Sequence, residues 1–448
     1  MEWLAAQLRL CNCCFPFAYS NTPKHREGKN NAFSKPLYQK LAAIILSCCV
    51  LSACSASSSS QSDSIKGDFT SVPSANSSSQ VAPIGTDDYR AMWISYLEWK
   101  NLDTSTDTAF TASVGAMLDN CKNIGLNRVI VQVRPFADAM YKTDKFPMSH
   151  LITGTQGQDA GYDPFLIFVN EAHARGLAIE AWINPYRVRL NAKTPDNLAA
   201  NGISALHPDW AITVSEGIYL DPANPDVRAY IIDGVREVVQ NYDIDGVQFD
   251  DYFYPTTEES FDKEQFSANG KGKTLAQWRR DNVNTLVKET YTAIKEIKPN
   301  IVFGISPQGN NDNNYNQQYS DVCLWLETPG YVDYVTPQIY WGFDYLTKSG
   351  RTDYQFAKLC HDWAAYPRHS SVRLHVGIGA YRIGAGDGGA NDQAEWQSGN
   401  NLARQIEAIK ETSGLGGFSI YRYDNLFNAG EYSPLAAKEA DAIKAIMQ

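Results

Sequence analysis

The chain reads as a (β/α)8 barrel of the TIM type, on three observations. Short apolar stretches recur eight times after Arg90, amphipathic segments alternate with them, and the link after each strand is long where the link before it is tight. The candidate strands are Arg90–Ser95, Arg128–Arg134, Ala178–Asn184, Gly246–Tyr252, Val302–Pro307, Val332–Trp341, Arg373–Arg382 and Gly417–Asp424. Helical periodicity marks Asp107–Asn123, Pro164–Arg175, Asp226–Asn241, Leu275–Ile297, Tyr354–Trp363 and Ala394–Thr412.

The punctuation agrees with these elements. Asn224-Pro225-Asp226 offers a capping side chain, a proline at the first turn and an acid at the positive end of the helix dipole. Gly125, Gly176 and Gly414 follow helices where a left-handed residue is wanted. Helix-to-strand links are short (Ile124–Asn127, Gly176–Leu177, Lys298–Ile301). Strand-to-helix links are long (Pro135–Asp163, Pro185–Pro225, Phe253–Thr274, Gln308–Gly330). A barrel that puts its extra length on the C-terminal side of its strands builds a cleft there.

The barrel begins near residue 86; what precedes it has a different character. Residues 1–53 carry six Lys or Arg against two Glu, so the remainder holds −15 of a net charge of −11. That excess of acid argues against nucleic acid as a partner. Leu41–Val50 is an apolar run too short for a bilayer span, with Lys35 and Lys40 ahead of it, and it reads as the core of a signal peptide. It ends in Leu51-Ser52-Ala53-Cys54, which resembles a bacterial lipobox. Cys54 is then the lipid attachment point, and an ordinary cleaved signal is the alternative. The stretch before Lys35 reads as translated sequence upstream of the true start. Ser55–Gln80 holds twelve Ser in 26 residues, a flexible tether reaching roughly 30 Å within a linker segment 54–85. The expected address is therefore the cell envelope, membrane-anchored, facing the periplasm or the surface. Past Cys54 only Cys121, Cys323 and Cys360 remain, too scattered for a disulfide framework or a zinc site.

Chemistry concentrates in Asp245-Gly246-Val247-Gln248-Phe249-Asp250-Asp251-Tyr252-Phe253-Tyr254. An apolar strand runs into two adjacent carboxylates and then into aromatics, at the end of a barrel strand where active sites form. Aromatic faces beside acids suit a sugar. Side-chain alternation places Gln132 and Arg134, Glu180, Trp182 and Asn184, Gln248 and Asp250, Ser306 and Gln308, Thr336, Gln338 and Tyr340, His375, and Ser419, Tyr421 and Tyr423 toward the lumen. Such a ring fits a ligand rich in hydroxyls; a self-satisfied network, with Glu180 bridged to Arg134, is the bland alternative. Alternation also implies that only one of Asp250 and Asp251 faces the axis; parity with Gln248 favours Asp250, a strand end can twist either inward, and capping of the following turn is the alternative for Asp251. Glycoside hydrolysis needs a second acid, and Glu180 is the leading partner. Trp182, Tyr252, Tyr340 and Trp341 are the expected stacking surfaces; Arg134, Asn184 and Gln338 the expected hydrogen-bonding groups. Asp243 and Asp245 read as turn residues at the bottom. The His-Pro-Asp-Trp run at 207–210 either touches a ligand or braces the third loop. Motifs for phosphate binding, serine hydrolysis and zinc proteolysis are missing, the histidines show no ligand spacing, and no cofactor is expected.

Taken with Arg90–Ser95, Gly125–Arg134, Glu180–Arg187, Leu220–Pro225 and Val335–Trp341, this motif resembles the glycosyl-hydrolase-like family 10 from about Arg90 to Ser371 or beyond. The resemblance implies a bacterial envelope protein, often lipidated, with a (β/α)8 barrel and glycosidase activity on peptidoglycan glycan strands, including strands stripped of stem peptides. A glycan-binding lipoprotein without catalysis and a polysaccharide-utilisation glycosidase are the competing expectations. The motif is also similar to that of chitinase-type barrels, but Gln248 stands in place of an Asp and Tyr252 in place of the acid Glu. A substrate-assisted chitinase mechanism using that Glu is thus not supported.

Overall fold

Eight parallel strand positions surround one lumen in the computed structural model, which describes residues 88–391 and 393–448. In chain order the first three strands are β1 (Tyr89–Ile94), β2 (Arg128–Arg134) and β3 (Ala178–Ile183). The loop after β3 carries its own antiparallel sheet of β4 (Arg187–Arg189), β5 (Ala211–Val214) and β6 (Gly217–Leu220), in the order β4-β6-β5. The barrel resumes with β7 (Gly246–Phe249), β8 (Val302–Ile305), β9 (Tyr334–Val335), β10 (Arg373–Leu374), β11 (Val376–Gly379) and β12 (Gly417–Tyr421).

The main sheet runs β10-β9-β8-β7-β3-β2-β1-β12-β11. β10 and β11 are one chain run broken at His375: its first half pairs with β9 and its second with β12. A parallel bridge between Gln338 and Gly377 joins the two ends, and the Gly377 N–H donates to the Pro337 carbonyl at 2.8 Å. The sheet is thereby nearly closed, which leaves little unpaired edge.

Helices 107–123, 164–174, 225–241, 275–297, 322–327, 356–365, 401–411 and 433–446 follow the eight positions in turn. Asn224 caps its helix through Asp226 N with Pro225 at the first turn, and Thr274 forms a reciprocal capping box with Gln277. Gly125, Gly176 and Gly414 all take positive φ, as expected at helix ends. One expected helix is interrupted: a 3₁₀ turn at Ala394–Gln397 and the helix Asn401–Glu411 are separated by Gly399 at φ 76°. The C-terminal helix Ser433–Ile446 and the small sheet in the third loop were not anticipated. Strand positions agree, but several strands are shorter than expected; β7 stops at Phe249, one residue before the acids. The signal segment, Cys54 and the Ser-rich tether lie outside the described residues.

Apolar side chains segregate into two layers. Val129, Val131, Ile179, Ala181, Val247, Phe249, Phe303 and Ile305 face the helices and belong to the main core, whereas Tyr89, Ala91, Trp93, Ile130, Trp182 and Tyr334 pack together inside the barrel. The lumen is filled from the bottom. Glu180 is wholly buried there: Arg128 Nη1 and the Tyr89 hydroxyl each reach its Oε1 at 3.0 Å, and the Tyr334 hydroxyl donates to its Oε2 at 2.5 Å. His375 stacks on Tyr89 with ring centres 4.0 Å apart. Burial, and then the charge of Arg128, push His375 down to about 3, so it is neutral. Two glycines make room for this floor. Gly246 pairs in register with Glu180, and Gly304 with Tyr334. A methyl group at either would press into the side chain opposite it.

Candidate active site

Above the floor a polar chain climbs toward the mouth. Gln248 donates to the Tyr334 hydroxyl at 2.8 Å and accepts from Trp93 Nε1 at 2.6 Å. Gln132 accepts from Tyr96 N and donates to Asn184 Oδ1. The strands supply these groups because alternate residues of β1, β2, β3 and β7 point inward.

Asp250 and Asp251 follow the last residue of β7, and they are 4% and 7% exposed. Trp182 Nε1 donates to Asp250 Oδ2 at 3.1 Å, Asn184 Nδ2 donates to the same oxygen, and Tyr252 N donates to Oδ1 at 3.3 Å. Asp251 turns away from β3, toward the ends of β8 and β9. Gln308 Nε2 donates to its Oδ2 and Gln338 Nε2 to its Oδ1, each at 3.1 Å. Parity assigned only one of the pair to the interior; the structure engages both with mouth residues. The strand ends at Phe249, so its alternation does not extend to Asp251.

The electrostatics follow from this crowding. Burial first, and the neighbouring Asp251 second, push Asp250 up to about 7, while Arg187 works against the shift. Asp251 is also raised, by burial, although the two Gln amides hold its charged form. Two such close carboxylates share protons as a pair. Arg187 supplies the nearby countercharge. It is anchored by Nε on the Pro135 carbonyl at 2.9 Å and by Nη2 on Asn184 Oδ1 at 2.8 Å, with its guanidinium beside Phe136, Tyr252 and Tyr96. Sequence reasoning assigned Arg187 no part in the site. The available signal was that two buried acids need a cation, and Arg187 is three residues beyond Asn184.

Aromatic rings surround the acids. Tyr252 is 44% exposed at the rim. Tyr340 stacks on Tyr421 with centres 5.7 Å apart and meets Tyr381 edge-on, and Tyr421 in turn meets Trp93. Trp341 stacks on Tyr354 at 5.1 Å, and the Tyr354 hydroxyl accepts from Asn310, two residues after Gln308.

Two expected residues lie elsewhere. Glu180 is level in register with Gly246, four residues below Asp250 or about 13 Å along a strand. The structure does not bring it to the acid pair, and its ionic partner is Arg128 rather than Arg134. Arg134 leaves the lumen altogether. The β2–β3 register shifts between Gln132 and Arg134, which reverses the side-chain direction. Its guanidinium lies over the Phe146 ring at 3.7 Å, against Gly234 of helix 225–241. Trp182, Asn184, Tyr252, Gln338, Tyr340 and Trp341 do gather about the mouth. Asp245 sits at the bottom of β7, where it accepts from Ile179 N and faces His173. His207 stacks on Trp210, which meets Tyr230 edge-on, so the His-Pro-Asp-Trp run braces the third loop.

Comparison with known proteins adds the following. Residues 88–398 match the model of a family described as "Glycosyl hydrolase-like 10". The chain is 35% identical over 345 residues to "Glycosyl hydrolase YngK" of Bacillus subtilis, covering 72% of this chain and 66% of that protein. It is 31% identical over 394 residues to "Glycosyl hydrolase DigH" of Escherichia coli K12, covering 80% and 86%. Among solved structures, the glycoside hydrolase domain of PgaB (BpsB) from Bordetella bronchiseptica superposes with a TM-score of 0.51 at 12% identity, over 81% of this chain and 99% of that one. The catalytic domain of β-amylase from Paenibacillus polymyxa gives 0.51 at 13%, with the same coverage. At such identities these two speak for the fold alone.

Proposed function

Because the chain belongs to the glycosyl hydrolase-like 10 family, we propose that it is a glycoside hydrolase whose acids are Asp250 and Asp251. The observation that carries this reading is a buried carboxylate pair at the barrel mouth, with Asp250 raised to about 7 and Asp251 raised as well, so that the two share a proton. A carboxyl group that keeps a proton near neutral pH can protonate a glycosidic oxygen as the bond breaks. A surface that only bound sugar would have no use for that proton.

The surroundings divide the remaining work. Trp182 and Asn184 fix Asp250, and Gln308 and Gln338 fix Asp251. The rings of Tyr252, Tyr340 and Trp341 offer faces on which the apolar side of a sugar can stack. Glu180 and Arg134 are structural in this account: one is locked into the barrel floor, and the other is packed beneath a helix.

For substrate, the reading is a cell-envelope glycan, the glycan strands of peptidoglycan. It is supported by the signal-like run ending at Cys54, by the Ser-rich tether and by the acidity of the remainder. Cys54 would carry the lipid that holds the enzyme to a membrane, facing the periplasm or the surface. The test is the release of reducing ends from purified glycan strands. The wild type should release them; the Asp250→Asn/Asp251→Asn double variant, folded by its circular dichroism, should not. Equal release by both would refute the assignment.

A further inference from the structure

Asp250 and Asp251 are consecutive, so their Cα atoms are about 3.8 Å apart and both side chains leave from one strand end. In the two-carboxylate mechanism, one group protonates the leaving oxygen while the other attacks, or activates water, at the opposite face of the sugar carbon. Neighbours in sequence are poorly placed to straddle a bond in that way. The other buried carboxylates in the strand-to-helix loops are already committed. Glu98 is paired with Arg422, Asp262 with Arg279, and Asp221 with Gln265; Asp138, wholly buried, accepts from Gln156 through one oxygen, with His150 3.7 Å from that oxygen. Asp387 and Glu395 hold the backbone N–H groups of Gly342 and Phe343, and Asp424 accepts from Asn101.

We infer that the nucleophile belongs to the substrate: a 2-acetamido sugar, whose carbonyl oxygen attacks its own anomeric carbon while Asp251 protonates the leaving oxygen and Asp250 holds the acetamido N–H. This inference rests on the glycosidase reading and specifies how that same site works. Asp250 is the deeper of the two and is held by Trp182, Asn184 and its own turn, which suits a fixed acceptor. An N–H donated to Asp250 favours its ionised form. The proton that the pair retains then resides on Asp251, the more exposed of the two; Gln308 donates to it in the ionised form and can turn its amide oxygen to accept from the protonated one.

The bonds balance without a further reactant. As the C1–O bond breaks, its electron pair goes to the leaving oxygen, which takes the Asp251 proton. The acetamido oxygen forms a bond to C1 and gives a bicyclic oxazolinium, whose N–H stays on Asp250. Water then attacks C1 and yields its proton to the Asp251 carboxylate, and the C1–oxazolinium oxygen bond returns its pair to the amide. Two inversions give net retention at C1.

The experiment uses the full chain and one glycan prepared with N-acetyl or N-trifluoroacetyl groups, together with the thiazoline analogue of N-acetylglucosamine. Expected are slower cleavage of the trifluoroacetyl glycan, competitive inhibition by the thiazoline, and a first-formed product of retained anomeric configuration by NMR. Asp250→Asn should weaken thiazoline binding and lower kcat together. Asp251→Asn should lower kcat by about 10²–10⁴-fold and keep thiazoline binding. Equal cleavage of the two glycans with no thiazoline inhibition overturns this inference and leaves the glycosidase reading standing. Failure to cleave any glycan overturns the glycosidase reading and this inference with it. The substrate series needs no variant, so misfolding of a variant does not cloud the result.

Discussion

The two aspartates and Glu180 look alike in sequence, each an acid on a barrel strand, yet their surroundings assign them opposite parts. Glu180 has both oxygens engaged by Arg128, Tyr89 and Tyr334 and no exposure. Glu180→Ala leaves Arg128 as a buried, uncompensated charge, a change that costs about 3–5 kcal/mol. Denaturant unfolding should register that loss, while Glu180→Gln, which keeps hydrogen-bonding capacity, should hydrolyse glycan with a kcat close to wild type. A hundredfold drop in kcat for a folded Glu180→Gln would return Glu180 to the catalytic set. Asp250 behaves in the contrary sense. Its folded value of about 7 lies above the ordinary 3.8, so the folded state holds its proton more tightly than the unfolded chain. Stability contributed by this group is therefore full below about pH 4 and is lost as pH rises through 7. Relative to the wild type, Asp250→Asn should melt higher at pH 8 than it does at pH 4; no change in that difference would refute the shift. Alternation along the strands located Trp182, Asn184, Gln248 and Asp250. It failed at Arg134, where a register shift reverses direction, and at Asp251, where the strand has ended. Neither a bulge nor a strand end leaves a mark that a period of two can detect.

At the level of elements, the eight strands and six of the helices were legible because short apolar stretches alternate with amphipathic ones, with caps or glycines marking several of the ends. The C-terminal helix was not, since only Ala436, Glu439 and Ile443 of Ser433–Ile446 are buried, too sparse an apolar face for a period to show. The sheet in the third loop was hidden for a different reason. Its strands are three or four residues long and only partly buried, too short for a period to show. Register explains what composition could not, namely why β7 and β8 carry glycine inside a barrel. Gly304→Ala would drive a methyl group into the Tyr334 ring, displacing the hydroxyl that joins Glu180 to Gln248. Overpacking of this kind costs about 1–3 kcal/mol. A drop in the urea midpoint at constant slope is the expected result; an unchanged midpoint would show that the floor has slack.

For the molecule as a whole, the barrel has a buried ion pair at the bottom and the acids of the proposed chemistry at the top, the division typical of this fold. The floor, an Arg128–Glu180 pair beside a neutral His375, is sealed by tyrosines, and the mouth is built from loops whose buried acids hold other loops in place. The anchor proposed at Cys54 belongs to this scale too. Expressed in a bacterium, the full chain should sediment with membranes and Cys54→Ser should move to the soluble fraction. Equal partition of the two would exclude lipid attachment there. The most direct test of the central claim remains the chemistry of the aspartate pair. Reducing ends released from purified peptidoglycan glycan strands should appear with the wild type and fall to background with Asp250→Asn/Asp251→Asn at an unchanged melting temperature. Release at the wild-type rate by the double variant would contradict the account.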